Sequence, residues 1–337
     1  MTMADDDMIY RLAASALPPG QIEFARNALG ISKALLAGSI SVTRAQLAMA
    51  LNIVLFMKLL DRVPPASERV ADLVRQGERM CFDHGALRTI DGPTGALPRG
   101  YAAFARILEP LGYTIGGLYP LPRLHMTGRA FVYRDMPSDI PQFFVSELHV
   151  DQLPVSAQAA AERIFDNSTD PIGEAEWELL HALGKTGQCP AELALAGLPG
   201  LVRAFGRCHD TPSLADYETL LAHSAEAAWI ATEGNAFNHA TERVTDVEAL
   251  AASLKARGAP LKDSVEISAN GRVRQTAFLA AKVVREFMLA DGTIGKREVP
   301  GSFHEFISRD IDPATGALDL TFDSGNATGI FSVTRLA

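Results

Sequence analysis

Cysteine is scarce in this sequence: Cys81, Cys189 and Cys208 are the three among 337 residues. An odd count without Cys-x-x-Cys spacing argues against a disulfide scaffold or a zinc finger, and it fits a reduced, cytoplasmic setting. Cys81 lies three residues before His84 and reads as a small buried apolar residue rather than a ligand. Positive charge is also short. Lys and Arg number 31 against 40 Asp and Glu, for a net charge of −9 and a pI near 5.4. With no basic stripe to neutralise phosphates, a nucleic-acid partner is not expected. Long hydrophobic runs are missing too. The longest, Leu47 to Met57, is broken by Asn52 and stopped by Lys58. It is too short to span a bilayer and reads as a buried core helix, so no membrane partner is expected. The acidic start, with Asp5, Asp6 and Asp7, lacks the basic flank of a signal peptide.

The sequence does have material for a core, since 47% of it is hydrophobic. That suffices for one large domain or two ordinary ones. Residues 5–78 carry helical periodicity, from Ile22 to Leu36 and from Leu47 to Leu60. Pro64-Pro65 interrupts it, and Ser67 is a candidate cap for a further helix through Arg75. From Cys81 the period becomes two, so Phe82, His84, Ala86, Arg88 and Ile90 are expected on one strand face. A helix from Gly100 to Gly112 and strands at Arg129–Arg134 and Gln142–Val150 follow. Residues 152–229 return to helix, with a role as a wall or lid. Beyond them, Val265–Ile267 and Val273–Phe278 flank Ala269-Asn270-Gly271, a hairpin signal. Further strands are expected at Ser302–Arg309 and Leu318–Phe322.

One segment has an echo. Asp83-His84-Gly85-Ala86-Leu87-Arg88 and Asn238-His239-Ala240-Thr241-Glu242-Arg243 both read His-x-x-x-Arg. Each is followed by a helix and then by strands. The repeat implies an α+β fold: two βαβββ modules forming a curved sheet or barrel around a metal site. The expected divisions are an N-terminal helical region (1–80), a first module (81–151), a helical insertion (152–229) and a second module (230–337), with 81–337 one catalytic domain.

The repeat also singles out two of the eight histidines, His84 and His239, as a ligand pair. Glu305 is the expected third ligand. In a strand it shares a face with Phe303 and Ile307, and a carboxylate between two large apolar residues is costly to bury unless a cation neutralises it. His304 points the other way. Glu147, in Phe144-Val145-Ser146-Glu147, reads as the first-module counterpart of Glu305. A fourth ligand or a relic of duplication are its alternatives, but the favoured role is support behind the ligands. Two histidines and one carboxylate match the facial arrangement of non-haem Fe(II) oxygenases; Zn(II), Mn(II) and Ni(II) also suit these donors. Arg88 is roughly 13 Å along the strand from His84 on the same face, and its side chain reaches back to grip a substrate carboxylate. Arg243 is its weaker counterpart, with Glu242 beside it. Gln275 on an inward face can bond a substrate oxygen.

These segments, with Phe143-Phe144-Val145-Ser146-Glu147-Leu148, Arg274-Gln275-Thr276 and Phe303-His304-Glu305-Phe306, resemble the 2-oxoadipate dioxygenase/decarboxylase family. The resemblance runs from about Cys81 to Ile330–Arg335. Its members are similar to the vicinal-oxygen-chelate, glyoxalase-like superfamily, with paired βαβββ modules. It implies Fe(II) on His84, His239 and Glu305, and Arg88 as the catalytic, substrate-binding arginine. The implied reaction is 2-oxoadipate plus O2 giving 2-hydroxyglutarate plus CO2, in lysine breakdown. Some members are longer, which bears on which 2-oxo acid this chain takes. Two other functions compete: a glyoxalase-type lyase or isomerase on the same ligands without O2, and a non-catalytic binding module of the same fold. Oligomeric state has no signal in the sequence.

Overall fold

The computed structural model describes residues 7–36, 41–323 and 325. The chain opens with helices α1 (Met8–Ala13), α2 (Pro19–Ala28), α3 (Arg44–Leu60) and α4 (Pro64–Arg75), with the short strand β1 (Val42–Thr43) before α3. Thr43 and Gln46 form a capping box that starts α3, and the residues from Gln46 to Met57 are all buried. The apolar run is therefore a core helix. Its one internal polar residue, Asn52, donates to Tyr113 Oη at 2.9 Å. Helix α4 begins at the two prolines rather than at Ser67, because proline lacks only an N–H that the first turn leaves unpaired anyway. Asp7 caps α1 through Ile9 N, at 3.3 Å.

The first module is β2 (Cys81–Asp91), α5 (Ala102–Leu108), β3 (Tyr113–Leu121), β4 (Met126–Tyr133) and β5 (Gln142–His149). Helices α6 (Val155–Phe165), α7 (Glu174–Thr186), α8 (Ala191–Ala204), α9 (Leu214–His223) and α10 (Ala225–Glu233) follow, with β6 (Gln188–Cys189) pairing β1. The second module is β7 (Phe237–Arg243), α11 (Val247–Ala256), β8 (Glu266–Ile267), β9 (Val273–Ala277) and β12 (Phe303–Arg309). A separate hairpin, β10 (Lys282–Met288) with β11 (Ile294–Pro300), is inserted before β12.

Both modules lie in one open, strongly curled sheet of order β3-β4-β5-β2-β7-β12-β9-β8. The order reads the same from either edge: a first strand at the centre, its parallel partner next to it, then two antiparallel strands. The central contact is β2 against β7, antiparallel. The N-terminal helices, α7 and α8 share a core with Leu87, Phe143, Val145 and Phe237 on one face. On the other face α6, α9 and α10 pack against Ile90, Leu148 and Phe303. The unfilled part of that second face is the pocket described below. Each fully buried side chain of this size contributes roughly 1.5–3 kcal/mol, which is why the helices cover the sheet so completely.

Two expectations differ in detail. Phe82 is not on the face of His84. The pairing slips between Phe82↔Glu242 and His84↔Thr241, so Asp83 is an extra residue in the strand and the alternation resets. Phe82 instead packs on Phe56 and Phe237. Residues Leu318–Phe322 are not a strand. Their backbone is held by side chains: Arg309 donates to the carbonyls of Asp319 and Thr321 at 2.9 and 2.8 Å. The segment Ile330–Arg335 lies outside the described residues.

Candidate metal centre

Three adjacent strands, β2, β7 and β12, bring His84, His239 and Glu305 together. One ligand atom from each lies within 4.8 Å of the other two. Glu305 Oε2 is 3.4 Å from His84 Nε2 and 3.6 Å from His239 Nε2. The three residues are 2%, 5% and 2% exposed, so a carboxylate here requires a positive partner.

Each histidine is set by the residue before it. Asp83 Oδ1 accepts from His84 Nδ1 at 2.8 Å, leaving the Nε2 lone pair toward the centre. The amide nitrogen of Asn238 is 3.0 Å from His239 Nδ1. Asn238 Oδ1 is buried without a hydrogen-bond partner, and a half-turn of the amide brings it to Nδ1–H and frees Nε2. Asp83 and Asn238 are both bulge residues, for the pairing slips again between Ala86↔His239 and Leu87↔Phe237. Gly85 lies between the bulges, and any Cβ there would strike the Phe237 ring at 2.1 Å.

The electrostatics follow the burial. Burial raises the Asp83 carboxyl, but the Arg309 guanidinium and His84 outweigh it and hold it well below the usual range. Arg309 Nη2 is 2.9 Å from Asp83 Oδ1. Burial lowers His84, yet Asp83 and Glu305 together raise it above its ordinary value. His239 has no adjacent carboxylate in its bulge, and burial pushes it down to about 3. Glu305 is held low by both histidines and by Thr241, against its own burial. Thr241 Oγ1 donates to Glu305 Oε2 at 2.6 Å and lies 3.1 Å from His84 Nε2. Two neutral imidazole nitrogens and one anionic oxygen, all aimed at one buried point, fit a divalent ion with positions left over.

The register corrects one assignment. Ala86 pairs with His239 and Thr241 with His84, so a local two-fold relates the central strands. Across it His84 matches His239, and Phe144 matches Glu305. Glu147 is not the counterpart of Glu305 and does not support the ligands. It pairs with Thr89 on the opposite face of the sheet. There it forms an ion pair with Arg129 and accepts from Tyr101 N at 3.0 Å. Sequence spacing missed this because the two modules differ in length between strands.

Gln275 lines the pocket, with Ala86, Phe144, Ser146, Phe322 and Asp323 beside the three candidate ligands. Arg88 lies two register steps beyond His84 on the same face, fully buried. Its Nη1 is 2.8 Å from Glu226 Oε2, and its guanidinium carbon is 4.9 Å over the Trp229 ring. Helix α10 is thus the wall behind Arg88. Arg243 faces Cys81 and Ser138 instead. The sequence reading missed Asp83, Asn238, Thr241 and Phe322. The first two were visible as the acid or amide preceding each repeated histidine.

Two βαβββ modules around a buried His-His-Glu group that could hold a metal ion define a fold of the glyoxalase-like kind. A model of the 2-oxoadipate dioxygenase/decarboxylase family matches residues 52–317, and the chain belongs to that family. A glyoxalase-superfamily protein from Ralstonia eutropha is 46% identical with TM-score 0.90, over 94% of this chain and 99% of that one. The chloroplastic 2-oxoadipate dioxygenase/decarboxylase of Arabidopsis thaliana is 24% identical over 80% of this chain and 73% of its own length. Hydroxyglutarate synthase from Oryza sativa, in complex with 2-oxoadipate, shares the fold with TM-score 0.62 and 21% identity, over 95% of each chain. No helix among the described residues is long and apolar enough to cross a membrane.

Proposed function

We propose that this chain is a non-haem Fe(II) dioxygenase/decarboxylase. It converts 2-oxoadipate or a similar 2-oxo acid, with O2, to the 2-hydroxy acid one carbon shorter and CO2. His84, His239 and Glu305 hold the iron, and lysine breakdown is the pathway setting. Iron(II) bound there supplies electrons for O2 and a Lewis-acid centre for a chelating 2-oxo acid. The chain's residues do the rest. Thr241 orients the Glu305 carboxylate, and Asp83 and Asn238 fix the imidazoles. Phe144 and Phe322 keep water from the open side. Gln275 bonds a substrate oxygen, and Arg88 orients the carboxylate of the 2-oxo acid.

The observation that carries this reading is Phe144 at the two-fold counterpart of Glu305. A four-ligand lyase site would need a donor there. A three-donor set leaves room for both a chelating substrate and O2. Family membership supports the same choice.

The test is anaerobic reconstitution of apoprotein with Fe(II), addition of 2-oxo acid, then air, following O2 uptake and 2-hydroxy acid by mass spectrometry. Coupled O2 loss and product, absent in His239→Ala, is the expected result. Iron-loaded protein that consumes no O2 with any 2-oxo acid would overturn the assignment in favour of a lyase.

A further inference from the structure

Glu226, Trp229 and Glu233 are spaced three and seven residues apart, so they share one stripe of helix α10. Glu226 Oε2 is 2.8 Å from Arg88 Nη1. The Trp229 ring faces the same guanidinium, with its centroid 4.9 Å from the guanidinium carbon. Both contacts are anchored from behind. Trp229 Nε1 donates to Gly301 O at 3.0 Å. Glu233 accepts the Arg285 guanidinium of β10 as a fork, at 2.6 and 2.7 Å. Ser224 caps the start of the helix, accepting from Ala227 N at 3.1 Å. Just past its end, Asn235 donates to the Arg88 carbonyl at 2.8 Å. Residues 224–235 thus hold Arg88 by its backbone and by its side chain.

Arg88 is electrostatically close to the candidate metal centre. It pairs in register with Ser146, which lines the pocket. Burial lowers His239, and the charge of Arg88 adds to that lowering. Arg88 and Glu226 are both buried, so water screens neither charge. Burial opposes the Arg88 charge, and Glu226 sustains it. A guanidinium already balanced by a carboxylate attracts a second carboxylate less than a bare one does, because the incoming anion meets a nearly neutral pair. Trp229 keeps the guanidinium in place while Glu226 moderates its pull.

Taking Arg88 as the group that orients the substrate carboxylate, as proposed above, we infer that Glu226 is a positioning residue for the reaction. It acts through Arg88. It holds the guanidinium against Trp229 and weakens its grip on carboxylates enough for the hydroxy acid product to leave. The helical insertion is then part of the active site as well as a cover for the sheet.

The experiment is calorimetric titration of anaerobic Fe(II)-loaded protein, of verified iron content, with 2-oxoadipate and with 2-hydroxyglutarate. Glu226→Gln keeps the shape of the side chain and removes its charge. It is expected to tighten both ligands by about tenfold, and to lower KM and kcat together in turnover. In an Arg88→Gln background the same change is expected to move affinity by less than about twofold, since Glu226 acts only through the arginine. Glu226→Asp keeps the charge but lengthens the pair, and is expected to tighten binding by about threefold. It carries the test if the Gln variant does not fold. A merely structural Glu226 would give weaker binding in both variants, in step with lost thermal stability. Unchanged or weaker binding in the folded variants overturns the inference. So does an equal effect in the Arg88→Gln background, or an Arg88→Gln protein that binds 2-oxoadipate as the wild type does. These affinities are read without O2, so O2 uptake by the wild-type protein decides the oxygenase reading separately.

Discussion

At the position related by the local two-fold, the first module carries Phe144 and the second carries Glu305. The rest of the centre is nearly symmetric: one histidine each, each preceded by a bulge residue that holds its Nδ1. The supports differ as well, Asp83 on one side and Asn238 on the other. The ends of the central strands differ again, since α10 covers Arg88 while Arg243 lies beside Cys81 at a half-exposed cleft. Symmetry thus brings two imidazoles to one place, and broken symmetry makes them a site with an open side. An exact repeat would give either no carboxylate or two.

The largest effect is expected from making the modules alike by loss. Glu305→Phe removes the one anionic candidate ligand, and structural metal affinities spread over four ligands imply roughly 3 kcal/mol per ligand. Fe(II) or Co(II) affinity should fall more than a hundredfold by anaerobic titration, with O2 uptake abolished. Unchanged affinity would show that the carboxylate is not a ligand. The opposite change, Phe144→Glu, makes the modules alike by gain. It should tighten metal binding while lowering O2-coupled turnover by about a hundredfold, because the open side is now closed. A Phe144→Glu protein that still turns over normally would mean that Phe144 does not border the open side.

Much of this was legible in the sequence. The repeated His-x-x-x-Arg gave both modules, both histidines and the position of the fold's centre, because period-two strands fix side-chain faces. Glu305 followed from its two apolar neighbours. The failures share one cause. A bulge or a difference in loop length changes register by one residue, and one residue changes face. That is why Phe82 and Glu147 were assigned to the wrong side. The hairpin of β10 and β11 and the side-chain-held segment after Arg309 depend on distant contacts that spacing does not carry. Arg88 was placed on the correct face, but Glu226, its partner from 138 positions later in an otherwise motif-free helix, left no local signal.

The difference between Asp83 and Asn238 gives a smaller effect with a pH signature. Asp83→Asn should weaken metal binding about 10–100-fold, the usual cost of losing a carboxylate behind a ligand. It also leaves Arg309 buried without its counter-charge, so stability should fall by about 3–5 kcal/mol. In the ion-free protein His84 is raised above its ordinary value, burial being outweighed by Asp83 and Glu305. Its protonated form stabilises the ion-free fold below about pH 6.5, and that stability is lost as pH rises through the raised value. Metal uptake displaces this proton, so apparent affinity climbs with pH and levels off above the raised value. In Asp83→Asn the climb should move to lower pH. A pH profile identical to wild type would detach Asp83 from His84.

The smallest effect on the metal is expected at Glu147, and it tests the comparison from the other side of the sheet. If register rather than sequence spacing decides which residues correspond, Glu147 belongs to the packing of the loop at Tyr101 and not to the centre. It bonds Arg129 and Tyr101 N, and a Cβ at Gly100 would reach its Oε2 at 2.3 Å, so the loop closes directly over it. Glu147→Gln keeps the shape and one acceptor but leaves Arg129 without its anion, at about 1–3 kcal/mol. Thermal unfolding should shift down by roughly 1–4 °C. Metal affinity, measured on the same protein, should stay within about twofold of wild type, well short of the 10–100-fold loss expected of a residue that supports a ligand. A tenfold loss of affinity without a change in melting would return Glu147 to the metal site and reject Phe144 as the counterpart of Glu305.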